Sequence, residues 1–357
     1  MKLPLHVIIR KKISFIISAV LSVLIPKNKK QTYVDKDEIK TILLIRPNYR
    51  IGNLLFLTPL INELQRNLPD TKIDIVVGLR LAGKILEPLP NVNKIIDVPR
   101  ELLLHPYQMY RAVKSLHKTN YDLAINVSGG STSSQIIAMF TKAKHKASFQ
   151  NKKLWGNFTH VQIRGTKTYR HMGLESLEFL RFLNIPLPKE EPNLDIKLSQ
   201  DELQAGHNDL KNLLQEHHIN DDAKVIALFR NARFDKKISD EYWNEWVEKL
   251  LHQNKNIVIV DILSPDITSP LNDSVLHYQN KDLRILGAFF KACDLYVSAD
   301  TGPMHLAVAS QAKVLALFNK TDIEVYGALG ENNTSVDIEQ HPLNEIVEIT
   351  LQQLSKI

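Results

Sequence analysis

The chain has 357 residues, past the size at which one hydrophobic core keeps growing, so two domains are expected. With 44% hydrophobic and 24% charged residues it has the composition of an ordinary soluble globular protein, not of a fibrous or disordered one. A single cysteine, Cys293, excludes an intramolecular disulfide, no Cys/His spacing matches a zinc site, and a net charge of +6 points to an anionic partner.

The first feature along the chain is the apolar run Ile13–Ile25, broken only by Ser14, Ser18 and Ser22. Arg10, Lys11 and Lys12 precede it; Lys27, Lys29 and Lys30 follow. As a helix it would reach about 20 Å, short of the roughly 30 Å hydrocarbon core of a bilayer. No small-x-small cleavage site follows, and basic flanks on both sides suit an anionic cytoplasmic leaflet. Residues 1–30 are therefore expected to be an N-terminal apolar helix anchored at the membrane surface, on the inner face of a bacterial inner membrane.

From Thr41 the pattern alternates between strand-like and helix-like runs, as in an α/β fold with parallel sheets. Strands are expected at Thr41–Arg46, Ile73–Val77, Lys94–Val98, Asp122–Val127 and His145–Phe149, with one helix over Leu54–Leu68. Uninterrupted apolar strands such as Ile42-Leu-Leu-Ile45 suit a sheet covered on both faces. Between Asp122 and Glu175 there is no acidic residue, while Lys142, Lys144, Lys146, Lys152, Lys153, Arg164, Lys167 and Arg170 fall in that window. Such a window attracts a polyanion. No helix-turn-helix, RNA-recognition or zinc-finger pattern supports nucleic acid as that partner.

Ile185-Pro-Leu-Pro-Lys-Glu-Glu-Pro192 cannot continue a helix and reads as a linker. The expected organisation is a domain over 41–185, a linker over 186–200, a second domain over 201–340 and a C-terminal helix over 341–357. In the second half a helix is expected over Asp201–His217, and strands at Val225–Phe229, Ile257–Asp261, Leu295–Ser298 and Val314–Phe318. Ser239-Asp-Glu is a helix start ahead of Tyr242, Trp243, Trp246, Val247 and Leu250.

The densest chemistry lies in Asp300-Thr-Gly-Pro-Met-His-Leu306, between the last two of those strands. Pro303 fits the first turn of a helix, where its missing N–H is no loss. The free N–H groups of that turn and the helix dipole form an anion site, with the Thr301 hydroxyl beside it, close backbone approach allowed at Gly302, and His305 one turn in. The bland alternative is a helix cap and nothing more.

The order Asp-Thr-Gly-Pro-Met-His-Leu resembles the nucleotide-sugar signature of glycosyltransferase family 9, the ADP-heptose:lipopolysaccharide heptosyltransferases. Three further segments resemble that family in the same order: Ile42–Leu60, His171–Pro186 and Ala227–Trp243. The resemblance spans about residues 41 to 330. It implies two doubly wound Rossmann-like domains facing a cleft, the glycosyltransferase B architecture, with the acceptor on the first domain and the nucleotide sugar on the second. It also implies ADP-heptose as donor, a lipopolysaccharide core or lipid acceptor, and neither a cofactor nor a metal. On it, Lys236 contacts the diphosphate, as do Asn231 more loosely and Asp300, Thr301, Gly302 and His305 at the helix start. Arg50 and Gly52 of the opening loop, with Lys142 and Lys144 of the basic window, are acceptor candidates.

One position departs from the family. After the Ile-Gly pair, where the family has an aspartate taken as general base, this chain has Asn53. An amide takes up no proton at neutral pH, and general-base catalysis contributes about 10²–10⁴-fold. Asp97 or Glu101 could replace it, a phosphate could take the proton, or the chain could be a lapsed enzyme that binds a nucleotide sugar without transferring it. Asn53 could also be the N-cap of a helix starting at Leu54.

Overall fold

The structure is a computed structural model. It describes residues 33–78, 83–99, 106–128, 131–149, 161–163, 168–220, 222–232, 234–267 and 269–355. The apolar run at 13–25 lies outside them. No helix among the described residues is long and apolar enough to cross a membrane.

The first sheet contains β1 (Thr41–Arg46), β2 (Lys72–Val77), β3 (Val92–Asp97), β4 (Tyr121–Asn126), β5 (Ala143–Phe149) and β6 (Val161–Ile163), in the order β3-β2-β1-β4-β5-β6. Every pairing is parallel. In chain order, α1 (Ile51–Leu55) and α2 (Thr58–Asn67) follow β1, α3 (Pro106–Leu116) follows β3 and α4 (Thr132–Phe140) follows β4. The Ile42–Ile45 run is wholly buried, as a strand covered on both faces requires.

After a 3₁₀ stretch at Glu175–Leu183, α5 (Gln200–Glu216) opens with a capping box in which Ser199 and Glu202 satisfy each other's backbone N–H. The second sheet follows: β7 (Lys224–Phe229), β8 (Ile257–Ile262), β9 (Leu276–Tyr278), β10 (Leu295–Ala299), β11 (Val314–Phe318) and β12 (Thr334–Asp337), again all parallel, in the order β12-β11-β10-β7-β8-β9. Both sheets share one doubly wound topology. The strand order reverses between β1 and β4 in the first and between β7 and β10 in the second, the points beyond which such sheets bind ligands.

Around the second sheet lie α6 (Asp240–Gln253), α7 (Leu283–Ala292), α8 (Gly302–Ala309), α9 (Ile323–Tyr326) and α10 (Leu343–Ser355). Ser239 caps α6 by accepting from Tyr242 N at 3.2 Å, and Trp243, Trp246, Val247 and Leu250 then repeat at helical spacing into the core beneath β7, β8 and β10. Cys293 closes α7 and is buried.

The chain divides into two compact units. The first holds residues up to Tyr49, Leu60–Tyr169 and Glu175–Lys189; the second holds Arg50–Pro59, Arg170–Leu174 and Glu190–Ile357. The second unit thus recruits two segments from the N-terminal half.

Candidate functional site

Leu295–Ala299 is buried at every position, so β10 runs through the middle of its sheet and delivers Asp300 at its carboxyl end, on the reversal point. Thr301 has extended backbone and caps α8, its hydroxyl accepting from Met304 N at 3.2 Å. Gly302 is the first helical residue and Pro303 the second, within the first turn. The helix after it is buried from Met304 to Ala309, so only its first turn can meet a ligand.

The Asp300 carboxylate is buried, and one oxygen, Oδ2, accepts from both Lys236 Nζ and Thr321 Oγ1, the latter at 2.6 Å. Lys236 ends a short 3₁₀ turn, Phe234–Lys236, after β7; its side chain is 34% exposed and its Nζ stands 5.6 Å from the Tyr326 ring centre. Three strand ends, those of β7, β10 and β11, therefore converge on one carboxylate. An anion arriving here meets the Lys236 ammonium and the positive end of the α8 dipole at Gly302, since Pro303 has no N–H and that of Met304 is taken by Thr301, while Asp300 holds the ammonium in place from behind. Thr321 and Tyr326 were missed in the sequence because no spacing links them to Asp300; only the pairing of β11 with β10 does.

Asn231 lies in the same unit but turns away, its Nδ2 donating to Ser264 Oγ at 2.8 Å in the loop after β8. Beside it Arg230 is buried and donates to Asp261 Oδ2 at 2.9 Å and to Ser269 O at 2.7 Å. Burial raises the Asp261 carboxyl, and the Arg230 hydrogen bond opposes that shift. This buried pair pins the β7 and β8 loops together.

His305, expected at the mouth, is enclosed. It is buried between α8 and α1, its ring edge-on to Phe56 with centres 4.6 Å apart, and Phe56 meets His171 edge-on from another side at 5.8 Å. A Cβ on Gly52 would lie 2.8 Å from His305 Cδ2, so the closeness of α1 to α8 requires glycine at 52. Burial lowers the His305 pKa to about 3 and lowers that of His171 as well. Both rings are neutral at pH 7, and that of His305 packs between α8 and α1. His171 Nε2 contacts Gly327 O at 3.0 Å and Met172 N donates to Val325 O, which ties that segment to α9.

Arg50, Gly52 and Asn53, expected on the acceptor side, belong to the second unit with α8. A Cβ on Gly302 would lie 3.5 Å from Gly52 N. The N-cap of α1 is Arg50, whose extended backbone precedes Ile51; Asn53 is the third helical residue and not the cap, because the helix starts three residues earlier than Leu54. Asp97 is exposed at the carboxyl end of β3 in the first unit, and Glu101 lies outside the described residues. Lys142 and Lys144 sit at the amino-terminal end of β5, level with Thr41 and Asp122, whereas Arg46 and Val127 mark the carboxyl end of that sheet. They are therefore about one strand length, roughly 17 Å, from the ligand-side edge. Lys144 is paired with Glu38 instead. Among the described residues no group of three His, Cys, Asp or Glu could hold a metal ion.

The sequence profile of glycosyltransferase family 9 (heptosyltransferase) matches residues 109–353. The chain belongs to that family. Among curated relatives, the lipopolysaccharide heptosyltransferase 3 of Escherichia coli K12 is 22% identical over 294 residues, covering 76% of this chain and 80% of that one. The lipooligosaccharide heptosyltransferase 2 of Haemophilus influenzae is 22% identical over 316 residues, with 83% and 88% covered. In fold, the chain resembles a family 9 glycosyltransferase from Veillonella parvula, at TM-score 0.76 and 15% identity over 92% of this chain and all of that one. It also resembles an E. coli heptosyltransferase with ADP, at TM-score 0.70 and 20% identity over 88% and 99%. The family 9 profile begins at 109, so it does not include the β1–α1 segment.

Proposed function

We propose that this family 9 glycosyltransferase moves heptose from ADP-heptose onto a lipopolysaccharide inner-core acceptor at the cytoplasmic face of the inner membrane. The observation that carries the reading is the Asp300–Lys236–Thr321 cluster at the start of α8: a fixed ammonium beside the positive end of a helix dipole suits a diphosphate. The charge that develops on the departing ADP is stabilised by groups already oriented before reaction, usually a large catalytic contribution. No metal or cofactor is called for, since Lys236 and the helix start supply the positive charge. The E. coli structure with ADP and the curated heptosyltransferases support the donor and acceptor classes. The wider reading is a glycosyltransferase B architecture, with residues 41–185 receiving the acceptor and 201–340 the donor.

The acceptor hydroxyl must lose a proton, and Asn53 cannot take it. Asp97 stands at the carboxyl end of a strand of the acceptor domain and is the replacement we favour. Its test is separable from that of donor binding: Asp97→Asn should abolish transfer with ADP affinity unchanged, and Asn53→Asp should be tolerated. Full activity in both Asp97→Asn and Glu101→Gln would leave a phosphate-assisted route. The amide at Asn53 also supports a second reading, a lapsed enzyme that binds nucleotide sugar, for which wild type shows no transfer and Asn53→Asp restores it. The primary reading is tested by calorimetry with ADP and UDP: selective ADP binding supports it, and no binding of either rejects it.

A further inference from the structure

Among the described residues, the large apolar side chains left standing in solvent are Tyr33, Tyr107, Tyr110 and Phe140, and all four belong to the first unit. Tyr107 is 71% exposed and Tyr110 59%, and both lie on α3. At about 100° per residue, Tyr107, Tyr110, Arg111, Lys114 and Lys118 fall on one stripe of that helix and its first C-terminal turn. All five are exposed. The opposite face, Ala112 and Leu116, is buried against Leu43, Ile45, Tyr121 and Ile137. The stripe holds two tyrosines and three cations, with no acidic residue anywhere on α3. Lys114 Nζ lies 5.7 Å from the Tyr110 ring centre, so ring and charge share one patch. At its C-terminal end His117 Nε2 contacts Phe140 O, bringing a further exposed ring, Phe140, alongside.

We infer that the outward stripe of α3 is a membrane-contact surface that seats on anionic phospholipid, with Tyr107 and Tyr110 at headgroup depth and Arg111, Lys114 and Lys118 on lipid phosphates. Tyrosine has an apolar body and a polar tip and concentrates at the membrane interface, while each nearby cation adds attraction to an anionic leaflet. The geometry favours a plane over a sugar chain. The stripe extends about 16 Å along the convex outer side of one helix, whereas a saccharide site needs a concave wall with converging polar groups. The surface is independent of the Asp300 mouth, of the substrate reading and of the apolar run near the N-terminus.

The test uses the full chain. Because Cys293 is buried and its thiol is pushed up by burial, Gln108→Cys, beside the stripe, gives one reactive thiol for an environment-sensitive dye. With phosphatidylglycerol–phosphatidylethanolamine vesicles the dye should shift to the blue and be quenched by brominated lipid; pure phosphatidylcholine should do neither. The triple variant Arg111→Gln, Lys114→Gln, Lys118→Gln should lose about a hundredfold in vesicle affinity, at roughly fivefold per cation. Tyr107→Ser with Tyr110→Ser should lose several-fold, and unchanged circular dichroism and thermal midpoint in both variants would show that the fold is kept. The inference is overturned if the dye is silent while the protein sediments with the vesicles, if the triple variant binds like wild type, or if a lipid-free core oligosaccharide moves the dye by itself. That last result would make α3 a saccharide surface.

Discussion

Lys236 and Asp300 act as one unit, because the carboxylate that holds the ammonium has no other cation against it in the described site. Lys236→Ala should weaken ADP binding by about 10- to 100-fold, the range for a charge-assisted hydrogen bond of roughly 1.5–3 kcal/mol. Asp300→Asn should weaken it by less, and the double variant should be no worse than Lys236→Ala alone, since residues in one network are not additive. Additive losses in calorimetry would show that the two contact the ligand separately. His305 gives a pH signature. Its folded pKa of about 3 lies below the ordinary value of 6.5, so the unfolded chain binds the proton first and stability falls as pH drops from about 6.5 toward 3. The slope is about 1.4 kcal/mol per pH unit for one such group. In denaturant titrations between pH 7 and 5, His305→Phe should flatten that dependence by one group, with His171 still contributing; an unchanged slope would place the His305 ring in water.

Gly52 and Gly302 pose opposite steric cases in the α1–α8 contact. A Cβ at Gly52 meets His305 at 2.8 Å, whereas at Gly302 its nearest neighbour is 3.5 Å away. Gly52→Ala should therefore destabilise by about 1–3 kcal/mol, the usual cost of overpacking, while Gly302→Ala should cost the fold little. Thermal unfolding of the two variants checks this, and equal midpoints would contradict the packing described. The same segment explains what the sequence concealed. Leu54–Leu68 carries one helical apolar pattern, but Pro59 cannot donate to Leu55 O, and the Thr58 hydroxyl takes that carbonyl instead at 2.8 Å. The result is two helices, α1 and α2. The long central strands were legible because they are apolar throughout; β6, β9 and β12 were not, since three or four residues paired on one side only show no period.

At the scale of the molecule, the parallel sheets could be read from alternating patterns, and the strand–turn–helix junction at Asp300–Met304 from its residue order. The assignment of Arg50–Pro59 and Arg170–Leu174 to the second unit could not, because it depends on tertiary contacts: Phe56 with His305, Met172 N with Val325 O, and Asp195 N with Thr58 Oγ1. The same long-range packing buries the His305 ring against Phe56, and the register of β5 sets Lys142 and Lys144 at the far end of their strand. The central claim is that the Asp300–Lys236 mouth drives heptose transfer from ADP-heptose. It is tested most directly by incubating the purified full chain with ADP-heptose and a heptose-free inner-core acceptor, and weighing the acceptor by mass spectrometry. The account predicts an acceptor heavier by one heptose with wild type and almost none with Lys236→Ala. An acceptor of unchanged mass with wild type that binds ADP, or equal yield from Lys236→Ala, would contradict it.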